Sequence, residues 1–292
     1  MIKKIYWGLA PLMILIGTGV FLYVKAEQKN TVDAHIAAAE KLIIDGDYYE
    51  ALLALEPLLT SKVKSETQEK ALWIAHQLGE KVTKMVVAEC DEIRSEVMKR
   101  TGNNILAGDA RSQLYSEKVN PINQLGANIL SNEMGTFYDK GFLRQLIDKY
   151  PDSPKRPFAE YHLFYSLESA QIEDSLEGVY EYLDVLHTYV EKYEKTGRAE
   201  VYMAYRDFAH INHGIWAMLT FPDDPGIDFN VVSSGDPEKD KQSAARHKAE
   251  ALKYYALYQI NPYGLPNETE NFQHLKNNDA FGVFFLSGLW GC

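Results

Sequence analysis

Apolar side chains recur along most of this chain at steps of three and four residues, the spacing that lines one face of an α-helix. Ala34, Ala38, Leu42 and Ile43 form one such run. Gly46-Asp47 breaks it, and Tyr48, Ala51, Leu52, Leu55, Leu58 and Leu59 start another, so residues 31–60 read as a helical hairpin. Glycine supplies the turn, and Asp47 is placed to cap the second helix. A longer run follows from about Thr67 to Lys99, carried by Leu72, Ala75, Leu78, Val82, Met85, Val86, Ile93 and Val97. Trp73 and Ile74 widen its apolar face beyond a coiled-coil seam, which points to a packed core. Thr101-Gly102-Asn103-Asn104 ends it.

Residues 101–135 are rich in Gly, Asn and Ser, and read as a loop with one or two short helices. Phe137, Phe142, Leu143, Leu146 and Ile147 then predict a helix face that stops at Tyr150. Pro151, Pro154 and Pro157 crowd the next seven residues. Pro151 lacks an N–H and disfavours helical geometry in the residue before it, whereas Pro154 suits a first helical turn. The prolines therefore mark one helix ending and another beginning, with Pro157 shifting that start toward itself. The second carries Phe158, Tyr161, His162, Tyr165 and Leu167. Further helices are expected at 173–195, 198–220 and about 243–260, the last two separated by an acidic Pro/Gly segment at 221–241. The expected fold class is all-α.

Three stretches carry a family resemblance. Ala39, Leu42, Gly46, Tyr48, Ala51, Leu55 and Leu58 resemble the small, large, Gly, Tyr, Ala, large, large order of tetratricopeptide repeats. "LIDKYPDSPKRPFAEYHL", with Tyr150-Pro151 at its centre, looks like the junction between repeats in bacterial envelope members of that family. Ala251 and Tyr255, in a helix closed by Asn261-Pro262, resemble a second repeat helix. The resemblance implies helical hairpins stacked into a concave protein-binding surface, with Ala39, Leu42, Gly46, Tyr48, Ala51, Leu55, Tyr150, Pro151, Ala251 and Tyr255 as packing positions. The chain departs from it in three ways. His35 stands where an early Trp is expected, the closing Pro is absent, and the pieces are not spaced at multiples of the family's repeat length.

The N-terminus adds a location. Ile5 to Val24 contains no charged side chain and follows Lys3-Lys4; Tyr6, Trp7 and Tyr23 lie near its ends. A helix of twenty residues spans about 30 Å, the thickness of a hydrocarbon core. Residues 1–26 therefore read as a short cytoplasmic tail and transmembrane anchor contacting the bilayer through residues 5–24. Residues 27–292 read as an exported, tetratricopeptide-like domain with internal boundaries near 101–135 and 221–241. The implied placement is single-pass in a bacterial inner membrane with the bulk periplasmic. Val24-Lys25-Ala26 also fits a cleavage site, which would make the protein secreted.

Charge narrows the partners. The first 26 residues hold three lysines and no acid, so the remainder keeps 27 of the 30 basic and all 41 acidic side chains, a formal charge of −14. Such a surface repels nucleic acid and anionic lipid headgroups. Two cysteines, Cys90 and Cys292, exclude a disulfide framework.

Candidate chemistry is sparse. His210 and His213 have ligand-capable side chains on one side of a helix, but no convergent third ligand is evident, and a polar helix edge is the expected reading. Asp223 to Asp228 lacks the alternating oxygen ligands of a calcium loop and reads as a turn. No nucleophile elbow, phosphate-binding loop, dinucleotide fingerprint or zinc-protease motif is present. Tyr180, Tyr182, Tyr189, Tyr193, Tyr202 and Tyr205 cluster in two adjacent helices, as core or as interface. The apolar 280–290 tail is too short to cross a bilayer and reads as a core cap. The expectation is a membrane-anchored scaffold that binds a protein partner in the envelope, with no cofactor and no enzymatic activity. An envelope enzyme, or a ligand-binding helical domain, is the alternative.

Overall fold

A computed structural model describes residues 33–132, 135–164, 176–221 and 233–278. The chain divides into two compact units, Met1–Pro151 and Asp152–Cys292. The proposed anchor, most of the 221–241 segment with its Asp223–Asp228 turn, and the 280–290 tail lie outside the described residues. So do Tyr165 and Leu167.

In the first unit, α1 covers residues 33–45, followed by α2 (Tyr48–Ala54) and α3 (Glu56–Leu59). Gly46 ends α1 at φ 87°, with Gly46 N–H bonded to Ile43 O (3.2 Å) and Asp47 N–H to Leu42 O (2.9 Å). These two bonds satisfy the last carbonyls of the helix, and the positive φ suits a residue without Cβ. Asp47 stands at the N-terminus of α2 but makes no capping bond through its side chain. The buried face of α1 is Ile36 and Ala39; Ala34 and Ala38, expected on that face, are exposed.

The central element is α4 (Glu66–Thr101), some 54 Å long at the usual rise. Ser65 caps it by accepting from Gln68 N–H (3.1 Å). Its buried residues run from Gln68 to Cys90, and none lies beyond. The fully enclosed Gln68 amide donates to Leu58 O (3.1 Å) and Ser61 O (2.7 Å), tying α3 to the start of α4. Gly102, left-handed at φ 63°, closes α4.

Residues 101–135 are not a loop. α5 (Asn104–Gln124) fills most of that span, running back along α4, with Arg111 Nε–Asp91 Oδ1 (3.1 Å) and Lys118 Nζ–Glu89 Oε2 (3.4 Å) across the pair. Asn103 starts it, its side-chain oxygen accepting from Ile105 and Leu106 N–H. Only Ala107, Val119 and Ile122 of α5 are buried, which is why its polar composition looked like a loop.

A two-stranded antiparallel hairpin follows, β1 (Ile129–Asn132) and β2 (Gly135–Tyr138), with Ile129 opposite Tyr138. The fold is therefore predominantly helical, with this one hairpin among the described residues. Asn123 clamps β1, exchanging side-chain bonds with Ile129 N–H (2.7 Å) and Ile129 O (2.9 Å). Phe137, expected on a helix face, lies in β2; α6 begins only at Gly141 and runs to Lys149.

In the second unit the elements are α7 (Arg156–Leu163), α8 (Leu176–Tyr193), α9 (Ala199–Thr220), α10 (Pro237–Gln259) and α11 (Thr269–Lys276). A 3₁₀ turn, Glu194–Thr196, follows α8. Pro157 stands in the first turn of α7. α10 begins within the segment read as an acidic linker, because Asp236 caps it through Glu238 and Lys239 N–H (3.1 and 3.4 Å) and Pro237 needs no partner there. The short α11 was not expected. α9 is the hub: α7, α8 and α10 all pack on it, and from Asp207 to Leu219 every residue but His210 is buried. Ala204, Ala209 and Ala217 on α9 and Ala251 on α10 are fully enclosed.

Candidate functional site

A helix surrounded by other helices should be apolar all round. α9 is not. Asp207, Asn212 and His213 are at most 5% exposed, and His210 is half-buried beside them. Asp207 reaches α7, Asn212 and His213 reach α10, and His210 reaches the start of α11, so the four polar groups splay outward from the helix.

Asp207 accepts a hydrogen bond from Tyr161 of α7 (2.6 Å) and is paired with Arg206 Nη2 (3.1 Å). Asn212 donates to Phe208 O (2.8 Å) and so turns its oxygen toward His247 of α10, whose Nδ1 lies 2.7 Å away. This arrangement makes Nδ1 the protonated nitrogen, and Nε2 accepts from Tyr180 of α8 (3.0 Å) and from the adjacent Arg246 (3.3 Å). One imidazole thus joins α8, α9 and α10. Burial, and secondly Arg246, lowers the His247 pKa to about 4, so the ring is neutral.

His213 Nδ1 lies 3.1 Å from the Tyr255 hydroxyl. Its Nε2 is buried with no hydrogen-bond partner among the described residues. Burial, then His210, His274 and Lys248, lowers its pKa to about 4. His210 turns the other way, to Glu268 Oε2 at the start of α11 (2.8 Å). Burial pushes the Glu268 carboxyl up, but hydrogen bonds from His210 and Asn271 outweigh it and hold the group below its ordinary range. Glu268 also lines an open cleft of about 540 Å³ with Tyr258, Phe272 and Lys276.

His210 and His213 therefore serve separate partners, and His213 is a core residue, not part of a polar edge. No group of three or more His, Cys, Asp or Glu side chains among the described residues is arranged to hold a metal ion. Tyr189 and Tyr193 of α8 keep their rings against the core and send their hydroxyls to Pro157 O (3.0 Å) and Glu160 Oε2 (2.9 Å).

The repeat-packing positions fall in both units. Ala39, Ala51 and Leu55 are fully enclosed, and Leu42 and Tyr48 are half-buried. The Tyr150 hydroxyl accepts from Ser65 N–H (3.0 Å) and lies 2.7 Å from Gln68 Oε1, pinning the end of α6 to the start of α4; Pro151 is exposed. Ala251 and Tyr255 sit in the second unit, at the α9–α10 packing and the His213 contact. The polar set around α9 was visible in the sequence only as the His210–His213 spacing. Tyr161, Tyr180, His247 and Glu268 lie 35 to 67 residues from their partners, and nothing in the local pattern pairs them.

The sequence matches no family model, and no curated protein or solved structure is significantly similar to the chain.

Proposed function

We propose that this protein is a membrane-anchored helical scaffold that binds a protein partner in the cell envelope. The observation that carries the reading is the uncharged run from Ile5 to Val24, bounded by Lys3-Lys4 and Lys25 and as long as a bilayer core is thick. The helical body supports it. The enclosed polar side chains of α9 are engaged in bonds that fix neighbouring helices, and the enclosed Ala39 and Ala51 suit the close helix contacts of a tetratricopeptide-like hairpin. A second reading, a ligand-binding helical domain, draws on the cleft at Glu268.

The test has two parts. Full-length protein in membranes should resist a high-salt wash and keep its original N-terminus; a mature chain starting at Glu27 overturns the anchor. Cross-linking in intact membranes, followed by affinity capture and mass spectrometry, should return one recurrent protein partner. Its absence, with a small molecule co-purifying instead, would favour the second reading.

A further inference from the structure

The far end of the α4–α5 hairpin is out of keeping with the rest of the chain. α4 has no buried residue after Cys90, so its last eleven residues pack only partially. At the turn, Met98, Ile105 and Leu106 are 42%, 75% and 49% exposed. Residues 94–106 also hold three basic side chains, Arg94, Lys99 and Arg100, against one acid, Glu96, in a chain whose formal charge is −11. All three basic side chains are exposed.

The turn that presents them is fixed. Gly102 N–H closes α4 on Met98 O (2.8 Å), Thr101 Oγ1 bonds Val97 O (2.8 Å), and Asn103 caps α5 through Ile105 and Leu106 N–H. Ile105 and Leu106 are therefore held in the first turn of α5, directly after the basic end of α4. A narrow apolar apex beside a cluster of Lys and Arg is the order found at a lipid interface: apolar side chains enter the acyl boundary and the cations meet anionic headgroups. The charge excludes the rest of the acidic surface from that role.

We propose that the α4–α5 tip, through Met98, Ile105 and Leu106 with Arg94, Lys99 and Arg100, docks on an anionic lipid surface. The tip is a second membrane contact, independent of residues 5–24.

The experiment uses the full chain with Ile105→Trp added to flotation with vesicles, read against the unsubstituted chain to subtract the native tryptophans. Vesicles are phosphatidylcholine alone or with about one-third phosphatidylglycerol, each carrying brominated acyl chains. The added tryptophan should be quenched in the anionic vesicles and at least about fivefold less when Lys99 and Arg100 are changed to Glu. These substitutions lie on exposed positions, so circular dichroism should be unchanged. Equal quenching in both compositions, or none in either, overturns the proposal and leaves the tip to a protein partner. Flotation itself separates the two membrane contacts. A chain that floats with both vesicle types without tip quenching keeps its anchor and loses the tip. One that floats only with anionic vesicles, with quenching, keeps the tip and loses the anchor.

Discussion

His247 shows how much a single side chain carries when it joins three helices. Its ring and that of His213 are neutral in the folded protein at about pKa 4, against an ordinary 6.5. The unfolded chain takes up protons below pH 6.5 that the folded chain refuses until about pH 4. Their contribution is therefore complete above pH 6.5 and is lost as pH falls through that window, about 2 kcal/mol for each ring by pH 5. Glu160 and Glu268, both held below their ordinary carboxylate range, lose their contributions only at more acid pH, so the interval from pH 7 to 5 reports mainly the buried imidazoles. Denaturant melts at the two pH values should show the fall, and His247→Gln should lower stability at pH 7 while removing about half of the pH-dependent loss. An undiminished loss in that variant would assign the effect elsewhere. At Asp207, Tyr161→Phe removes a 2.6 Å bond to a fully enclosed carboxylate and should cost about 1.5–3 kcal/mol in the same assay.

At the level of elements, close approach is set by small residues. Ala51 is fully enclosed in α2, and Ala51→Leu should destabilise the α1–α2 hairpin by roughly 1–3 kcal/mol through overpacking. An unchanged melting temperature would show that the neighbouring helices can part to admit the larger side chain. Gly79 in α4 faces the Tyr138 ring, where an added Cβ would come within 2.7 Å. Gly79→Ala should therefore displace β2 from α4, with a cost of similar size and altered tyrosine fluorescence or near-ultraviolet dichroism. How far such elements could be read beforehand varied with their burial. α4 announced itself because its apolar stripe is long and continuous, whereas α5 buries three side chains out of twenty-one and left no periodic signal. The β-hairpin was missed for another reason. Its strands are four residues each, and Asn123, which fixes the first of them, acts from the preceding helix.

At the level of the whole molecule, each unit has enclosed residues of its own, and the chain passes from one to the other at Pro151–Asp152. Calorimetry of the full chain should resolve two transitions, Ala51→Leu lowering one and Tyr161→Phe the other. A single transition lowered by both substitutions would mean that the units unfold together.

The sequence by itself determined the helical character, the break at Gly46, the end of α4 near Gly102 and the stop at Tyr150. Each follows from local rules, since backbone preferences of Gly and Pro and the repeat of apolar positions act within a few residues. Only the tertiary structure decided that α9 is packed among other helices and that its polar groups are bound to residues of α7, α10 and the start of α11. Asn212 and His247 stand 35 positions apart, and Tyr161 and Asp207 46. A buried polar group requires a partner, but which one it finds depends on how the helices pack, and that is a property of the assembled core.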